Sequence, residues 1–187
     1  MPKSFCSGQI IFDDDYEYTL EDVIFLLENK EFSEFKFCPG AGYALIDSEA
    51  GEILIEYKGS DNVIPDETVR RMLDVLTHIE ECIEKAYDWF SHLDQNGNEM
   101  LAANPDKKIP REIYDVNGIH FGDVTLSNTW KRMKWKQYRS GSHHPKDAAD
   151  IFSIIFQNTD DPYFIFNVKF DYEDLLPYEI EFWAYYS

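Results

Sequence analysis

Five histidines, three cysteines and 36 carboxylates are the groups of this chain that could hold a metal or move a proton. His78 and Cys82 stand four apart, a spacing that on a helix sets a nitrogen and a sulfur towards one ion. Cys82, however, falls on an apolar stripe, where a free cysteine behaves as a small hydrophobe, and no second pair of ligands accompanies it. His92 would lie about 21 Å beyond His78 along a helix, too far to share an ion. His143 and His144 precede Pro145 and read as part of a solvated loop. The stretch DQNGNE from Asp94 has the look of a calcium loop, but Glu99 stands where that loop needs glycine and Pro105 where it needs glutamate. No metal and no cofactor is expected. The patterns GxSxG, HExxH, GxGxxG and the Walker A loop are missing. An enzyme built on this sequence would need an unmarked His/carboxylate site, with His120, His143 and His144 as its acid–base groups. Paired carboxylates for hydrolysis must lie about 5–10 Å apart across a substrate, and no pair stands out among so many.

Charge is the more informative property. The chain carries 17 basic against 36 acidic residues, a formal net charge of −19. Between Val124 and Lys146 there is no acid, and Lys131, Arg132, Lys134, Lys136, Arg139 and Lys146 make that stretch +6, leaving −25 elsewhere. Nucleic-acid binding draws its affinity from neutralising phosphates with Lys and Arg, so an acidic body of this kind is not expected to bind DNA or RNA. It would steer a basic partner inward. The basic, aromatic island WKRMKWKQYR has three readings: internal neutralisation along a sheet edge, where lysines also discourage strand-to-strand association, a mixed-charge interface anchored by Trp130, Trp135, Tyr138 and Arg139, or local contact with a polyanion.

The elements that must position these groups are legible as periods. At 187 residues, 44% hydrophobic and 16% aromatic, the chain has the material for one core and reads as a single domain, 1–187. Ser7–Phe12 could form a first strand before the run Asp13, Asp14, Asp15. Thr19 is placed to cap a short N-terminal helix, with Asp22 as its reciprocal partner. YALIDSEAGEILIEY predicts a hairpin with strands near Tyr43–Asp47 and Glu52–Tyr57. Val69, Met72, Leu76, Ile79, Ile83, Ala86 and Phe90 recur in steps of three and four, predicting one long amphipathic helix over about 66–93. Its outer face would carry Asp74, Glu81, Glu84 and Asp88. Residues 94–111 read as a loop, and YDVNGIHF as a second hairpin turning at Asn117-Gly118. The island fits either a strand or a helix. DIFSIIFQ, YFIFNVKFDY and YEIEFWAYY predict three antiparallel strands, the first two joined by a turn that carries Asp160 and Asp161. The fold class is therefore α+β: a mainly antiparallel sheet with the long helix packed on it.

Cys6, Cys38 and Cys82 fit no CxxC pattern, and an odd number cannot pair completely, so reduced thiols in a cytoplasmic protein are expected. The N-terminus shows no apolar stretch of signal-peptide type, and no run approaches a membrane span.

In size, acidity, surplus aromatics and missing catalytic motifs, the chain resembles the small acidic immunity proteins that bacteria use against secreted or contact-delivered toxins, many of them basic nucleases. The resemblance implies an acidic protein-binding module, not an enzyme, which neutralises a cognate basic toxin by covering its active site. The contacts expected from the acidic runs are Asp13, Asp14, Asp15 and Glu17, the helix face of Asp74, Glu81, Glu84 and Asp88, and the turn Asp160-Asp161.

Overall fold

The computed structural model describes residues 18–38, 42–57, 62–90, 114–122, 130–137, 150–161 and 164–185. Thr19 opens helix α1 (Leu20–Glu28): its side-chain oxygen accepts the Asp22 N–H at 3.1 Å, and Asp22 Oδ2 accepts the Thr19 N–H at 2.9 Å. This reciprocal pairing satisfies donors that the first helical turn would otherwise leave unmet. Val23, Leu26 and Leu27 form its buried stripe. A short 3₁₀ turn at Phe32–Glu34 leads into β1 (Lys36–Cys38), followed by the hairpin of β2 (Tyr43–Ser48) and β3 (Gly51–Glu56), paired from Tyr43↔Glu56 to Ser48↔Gly51.

The expected single helix over 66–93 is two helices, α2 (Asp66–Thr77) and α3 (Ile79–Phe90), interrupted at His78. Side chains compete for the ladder there. Thr77 Oγ1 donates to Leu73 O at 2.6 Å, and His78 Nδ1 bonds Asp74 O at 2.8 Å. The His78 N–H turns instead to Val75 O, at 3.0 Å. The apolar stripe survives the interruption, with Val69, Met72, Leu76, Ile79, Cys82 and Ala86 all buried. Residues 91–93 and the loop through 111 lie outside the described residues, as does the proposed first strand Ser7–Phe12.

Five strands complete the fold: β4 (Tyr114–Phe121), β5 (Trp130–Gln137), β6 (Ile151–Asn158), β7 (Phe164–Asp171) and β8 (Pro177–Tyr185). The eight strands form one sheet in the order β1-β2-β3-β4-β6-β7-β8-β5. Every neighbouring pair is antiparallel except β3–β4. That parallel pair needs a long crossover, and the connection is the segment that contains α2 and α3. The sheet is mainly antiparallel and the class is α+β.

YDVNGIHF is not a hairpin. It is the single strand β4, with a bulge between Val116 and Gly118 in its pairing with β6. The bulge explains the spacing that reads as a turn. Tyr114 and Val116 before it, and Ile119 and Phe121 after it, all pack into the same core, although the two pairs differ in parity. One extra residue, Asn117, restores the phase. Glycine is required on both sides of this contact. A Cβ at Gly51, whose φ is +86°, would meet Asn117 O at 1.7 Å, and one at Gly118 would meet Glu52 O at 2.8 Å.

The apolar helix faces cover one side of the sheet. There Ile53, Ile55, Ile119, Phe152, Ile154, Phe156, Phe166, Val168, Phe170 and Ile180 are fully buried. Phe152 stacks on Phe170 at 4.9 Å between ring centres. The island is a strand, not a helix: β5 pairs with β8 from Trp130↔Tyr185 to Gln137↔Glu179 and closes the order at one edge of the sheet. On the side away from the helices, Cys38, Leu45 and Leu54 form a small second cluster. Cys38 is disulfide-bonded. This overturns the expectation of three reduced thiols. Cys82 is free and buried.

Candidate functional site

The outward faces of α2 and α3 carry a row of exposed charge. The two helices hold seven carboxylates against three basic side chains, and Asp74, Glu81, Glu84 and Asp88 are all exposed. Sequence spacing alone brings Glu81, Glu84 and Asp88 to one face, since residues three and four apart are helix neighbours. Lys85 sits among them. Its ammonium lies 2.9 Å from Glu81 and donates to Leu175 O at 3.1 Å, tying α3 to the β7–β8 turn. The Lys85 hydrogen bond and its charge hold the Glu81 carboxyl below the usual range. These carboxylates stand on rigid elements whose inner faces are locked in the core, so the field they present is fixed in shape.

At the N-terminal half of this surface lies a cleft of about 490 Å³, lined by Arg70, Arg71, Asp74, Asp150, Asp171, Tyr172 and Glu173. It opens between α2 and the strand ends where β6 begins and β7 stops. Arg71 is held in place by Glu67 and Asp150, each 3.1 Å from a guanidinium nitrogen, and its guanidinium carbon lies 5.5 Å above the Tyr172 ring. Tyr172 is itself packed against Phe121 and Phe152, and burial pushes its phenol well above the ordinary tyrosine range. Asp171 is 3% exposed, and its Oδ1 accepts the Glu173 N–H at 2.9 Å.

The turn after β6 carries Asp160 and Asp161, both exposed, with both backbone N–H groups donating to Asn158 Oδ1 at 2.8 and 3.0 Å. This Asx turn sets the course of the chain after β6. At about 3.3 Å per residue, the length of β6 sets that turn roughly 30 Å from the cleft. The Asp160-Asp161 turn and the cleft are thus at opposite ends of β6.

A further set of polar groups, with the candidate acid–base residue His120 among them, is buried on the sheet face away from the helices. Glu52, His120, Ser153, Asn167 and Glu181 are each 5% exposed or less. Asn167 Nδ2 donates to Glu181 Oε2 at 3.2 Å, and Lys169 stands 3.5 Å from Glu179 and 3.6 Å from Glu181. Neither carboxylate oxygen of Glu52 has a hydrogen-bond partner among the described residues. Burial pushes its carboxyl up to about 8, Asp47 across the hairpin adds to the rise, and Lys36 opposes it. Burial likewise lowers His120 to about 3, so it is neutral at physiological pH and sealed inside the sheet.

Of the residues singled out by sequence, Asp74, Glu81, Glu84 and Asp88 share a surface, and Asp160-Asp161 stand apart from the cleft. Trp130 and Trp135 are placed by backbone on the edge strand β5, opposite Tyr185 and Glu181 of β8. Asp13, Asp14, Asp15, Glu17, Tyr138, Arg139, His92, His143, His144 and the DQNGNE stretch lie outside the described residues. His78 and Cys82 do not form a ligand pair. His78 is largely exposed, while Cys82 is in the core, where burial pushes its thiol up to about 11. Among the described residues no group of three or more His, Cys, Asp or Glu could hold a metal ion, and no helix is long and apolar enough to cross a membrane. Comparison with protein-family models, with curated proteins and with solved structures finds no match to this chain.

Proposed function

We propose that this chain is an acidic protein-binding module that neutralises a cognate basic toxin, in the manner of immunity proteins directed against secreted or contact-delivered toxins. The observation that carries the reading is the exposed row of Asp74, Glu81, Glu84 and Asp88, mounted on two helices whose opposite faces are locked in the core. Such a row repels nucleic acid and attracts a groove built to hold phosphates. Occupying that groove with carboxylates would exclude the natural substrate, and charge pairs desolvated at the contact would supply discrimination between partners. No bond is made or broken in this mechanism and no cofactor is required. The disulfide at Cys38 is of a kind that persists where the medium oxidises.

The test is capture on immobilised protein from a lysate of the native host at low salt, followed by kinetics with the captured protein after its identification. The expected partner has a pI above about 9. Its association rate should fall at least about tenfold between about 50 and 500 mM salt, because exposed charges are screened beyond a Debye length. A rate indifferent to salt, or turnover of a phosphoester or ester by the isolated chain, would sink the reading.

A further inference from the structure

We propose that a disulfide joins Cys6 to Cys38 and fastens the N-terminal segment to the outermost strand of the sheet; this goes beyond the protein-binding reading and does not rest on it. The chain has three cysteines. Cys38 is disulfide-bonded, and Cys82 is a free thiol buried in the apolar stripe of the helices. Cys6, which lies outside the described residues, is therefore the one sulfur of this chain left to pair with Cys38. The odd count resolves into one cross-link and one inert thiol, since burial keeps Cys82 protonated and out of exchange. The competing arrangement is a bond between the Cys38 side chains of two copies. It is disfavoured because Cys38 is 8% exposed and packs with Leu45 and Leu54, whereas a disulfide must bring its two Cα atoms within about 7 Å.

The course of the chain permits the bond. Cys38 ends β1, opposite Tyr43 of β2. The N-terminal segment is fixed a second time at Tyr18, which bridges Ser48 at the other end of β2. Tyr18 O accepts the Glu49 N–H at 2.9 Å, and its hydroxyl donates to Glu34 Oε2 at 2.6 Å. Tyr43 and Ser48 stand about 17 Å apart along the strand, at about 3.4 Å per residue. The twelve residues from Cys6 to Tyr18 reach up to about 40 Å, so the two sulfurs can meet. β1 is three residues long and has β2 as its one neighbour in the sheet order. A cross-link at its end closes a 33-residue loop and takes freedom from the unfolded chain. Asp13, Asp14 and Asp15 fall in sequence between Cys6 and Tyr18, so the bond decides whether that run is anchored at both ends or at one. Forming it takes two electrons and two protons from the two thiols. A small-molecule disulfide such as oxidised glutathione accepts them and leaves as two thiols.

The experiment is thiol counting on the full chain after incubation with oxidised glutathione. The protein is alkylated under denaturing, non-reducing conditions, weighed by mass spectrometry and digested without reductant. One alkyl group per wild-type chain is expected, on Cys82, together with a peptide pair that joins Cys6 to Cys38 and separates on reduction. Cys6→Ser and Cys38→Ser should each leave Cys82 and the orphaned partner outside any intrachain bond, and Cys82→Ala should leave no alkylated site. The count is made on denatured chains, so it reads each variant whether or not it folds. Reduction should lower the wild-type melting temperature by roughly 5–15 °C, and Cys6→Ser should already melt there and ignore the reductant. Three alkylated cysteines in the wild type, a Cys38–Cys82 peptide pair, or a covalent dimer linked through Cys38 would each overturn the pairing. A melting temperature indifferent to reductant would overturn the fastening. Each of these outcomes leaves the acidic-module reading standing, since that reading fails only on its own salt and turnover measurements.

Discussion

The acidic row on the outside of α2 and α3 and the polar row across the far face of the sheet hold the same residue type in opposite states. Glu81, in water beside Lys85, has its carboxyl held below the ordinary range. Glu52, 1% exposed and with neither oxygen hydrogen-bonded among the described residues, has its carboxyl pushed up to about 8. The first is ionised and part of the field a partner meets. The second keeps its proton at pH 7 and contributes nothing to that field. A formal charge of −19 therefore overstates what the surface presents, since Glu52, Asp171 and Glu181 are buried. Burial decides the sign of each shift: desolvation penalises the charged form, while a nearby cation favours it.

The strongest way to break this comparison is through the layer that separates the two regions. Phe152 is fully buried beneath the helices and packs on Phe170 and Tyr172. Phe152→Ala should cost about 3–5 kcal/mol by urea denaturation, the usual range for emptying a large aromatic site. A loss below about 1 kcal/mol would mean that the sheet and the helices do not share one core.

Next is the proton on Glu52. Below pH 4.5, the ordinary value for this group, it is protonated whether the chain is folded or not. Between 4.5 and about 8 the unfolded chain ionises it and the folded one does not, so stability falls as pH rises through that window. His120 has the opposite slope: its neutral form is favoured by folding, so stability is lost as pH falls from 6.5 towards about 3. Glu52→Gln removes the alkaline loss alone. At pH 9 the variant should be more stable than the wild type by on the order of 2–4 kcal/mol, with the acid limb unchanged. Denaturation curves from pH 4 to 9 read both limbs; parallel curves for the two proteins would show that Glu52 is solvated.

The smallest effect belongs to the outer row. Glu84 lies four residues from both Glu80 and Asp88, and like charges so spaced repel by a few tenths of a kcal/mol. Glu84→Gln should leave the melting transition almost unmoved, or raise it slightly, while slowing association with a basic partner. A clear loss of stability would place Glu84 in the framework and not on the working surface.

Much of the framework was legible because it is local. The capping box of Thr19 and Asp22, the β2–β3 hairpin, the apolar stripe from Val69 to Ala86 and the three C-terminal strands all follow from spacings within a few residues, since backbone geometry turns period two or period 3.6 into a face. The exposed helix carboxylates were legible for the same reason. Where a local pattern admits two structures, it misleads. The Asn117-Gly118 pair suits a tight turn equally well, and it became a bulge because β3 and β6 pair along both of its sides. The helix divides at His78 because two side chains take carbonyls of the ladder, a competition that periodicity does not register.

The amino-acid order by itself determined where the apolar periods run, which face of those elements is apolar, and how much charge the chain must carry, but not whether 130–137 is strand or helix. Only the tertiary structure decided where that charge counts. It set β5 at the edge of the sheet, separated Asp160-Asp161 from the cleft, buried Glu52 and His120, and gathered Asp74 with Asp150, Asp171 and Glu173 around Arg71. Those groups are far apart along the chain, and solvation and Coulomb energy depend on distance in space, which is settled only when the sheet closes its order and the helices dock on it.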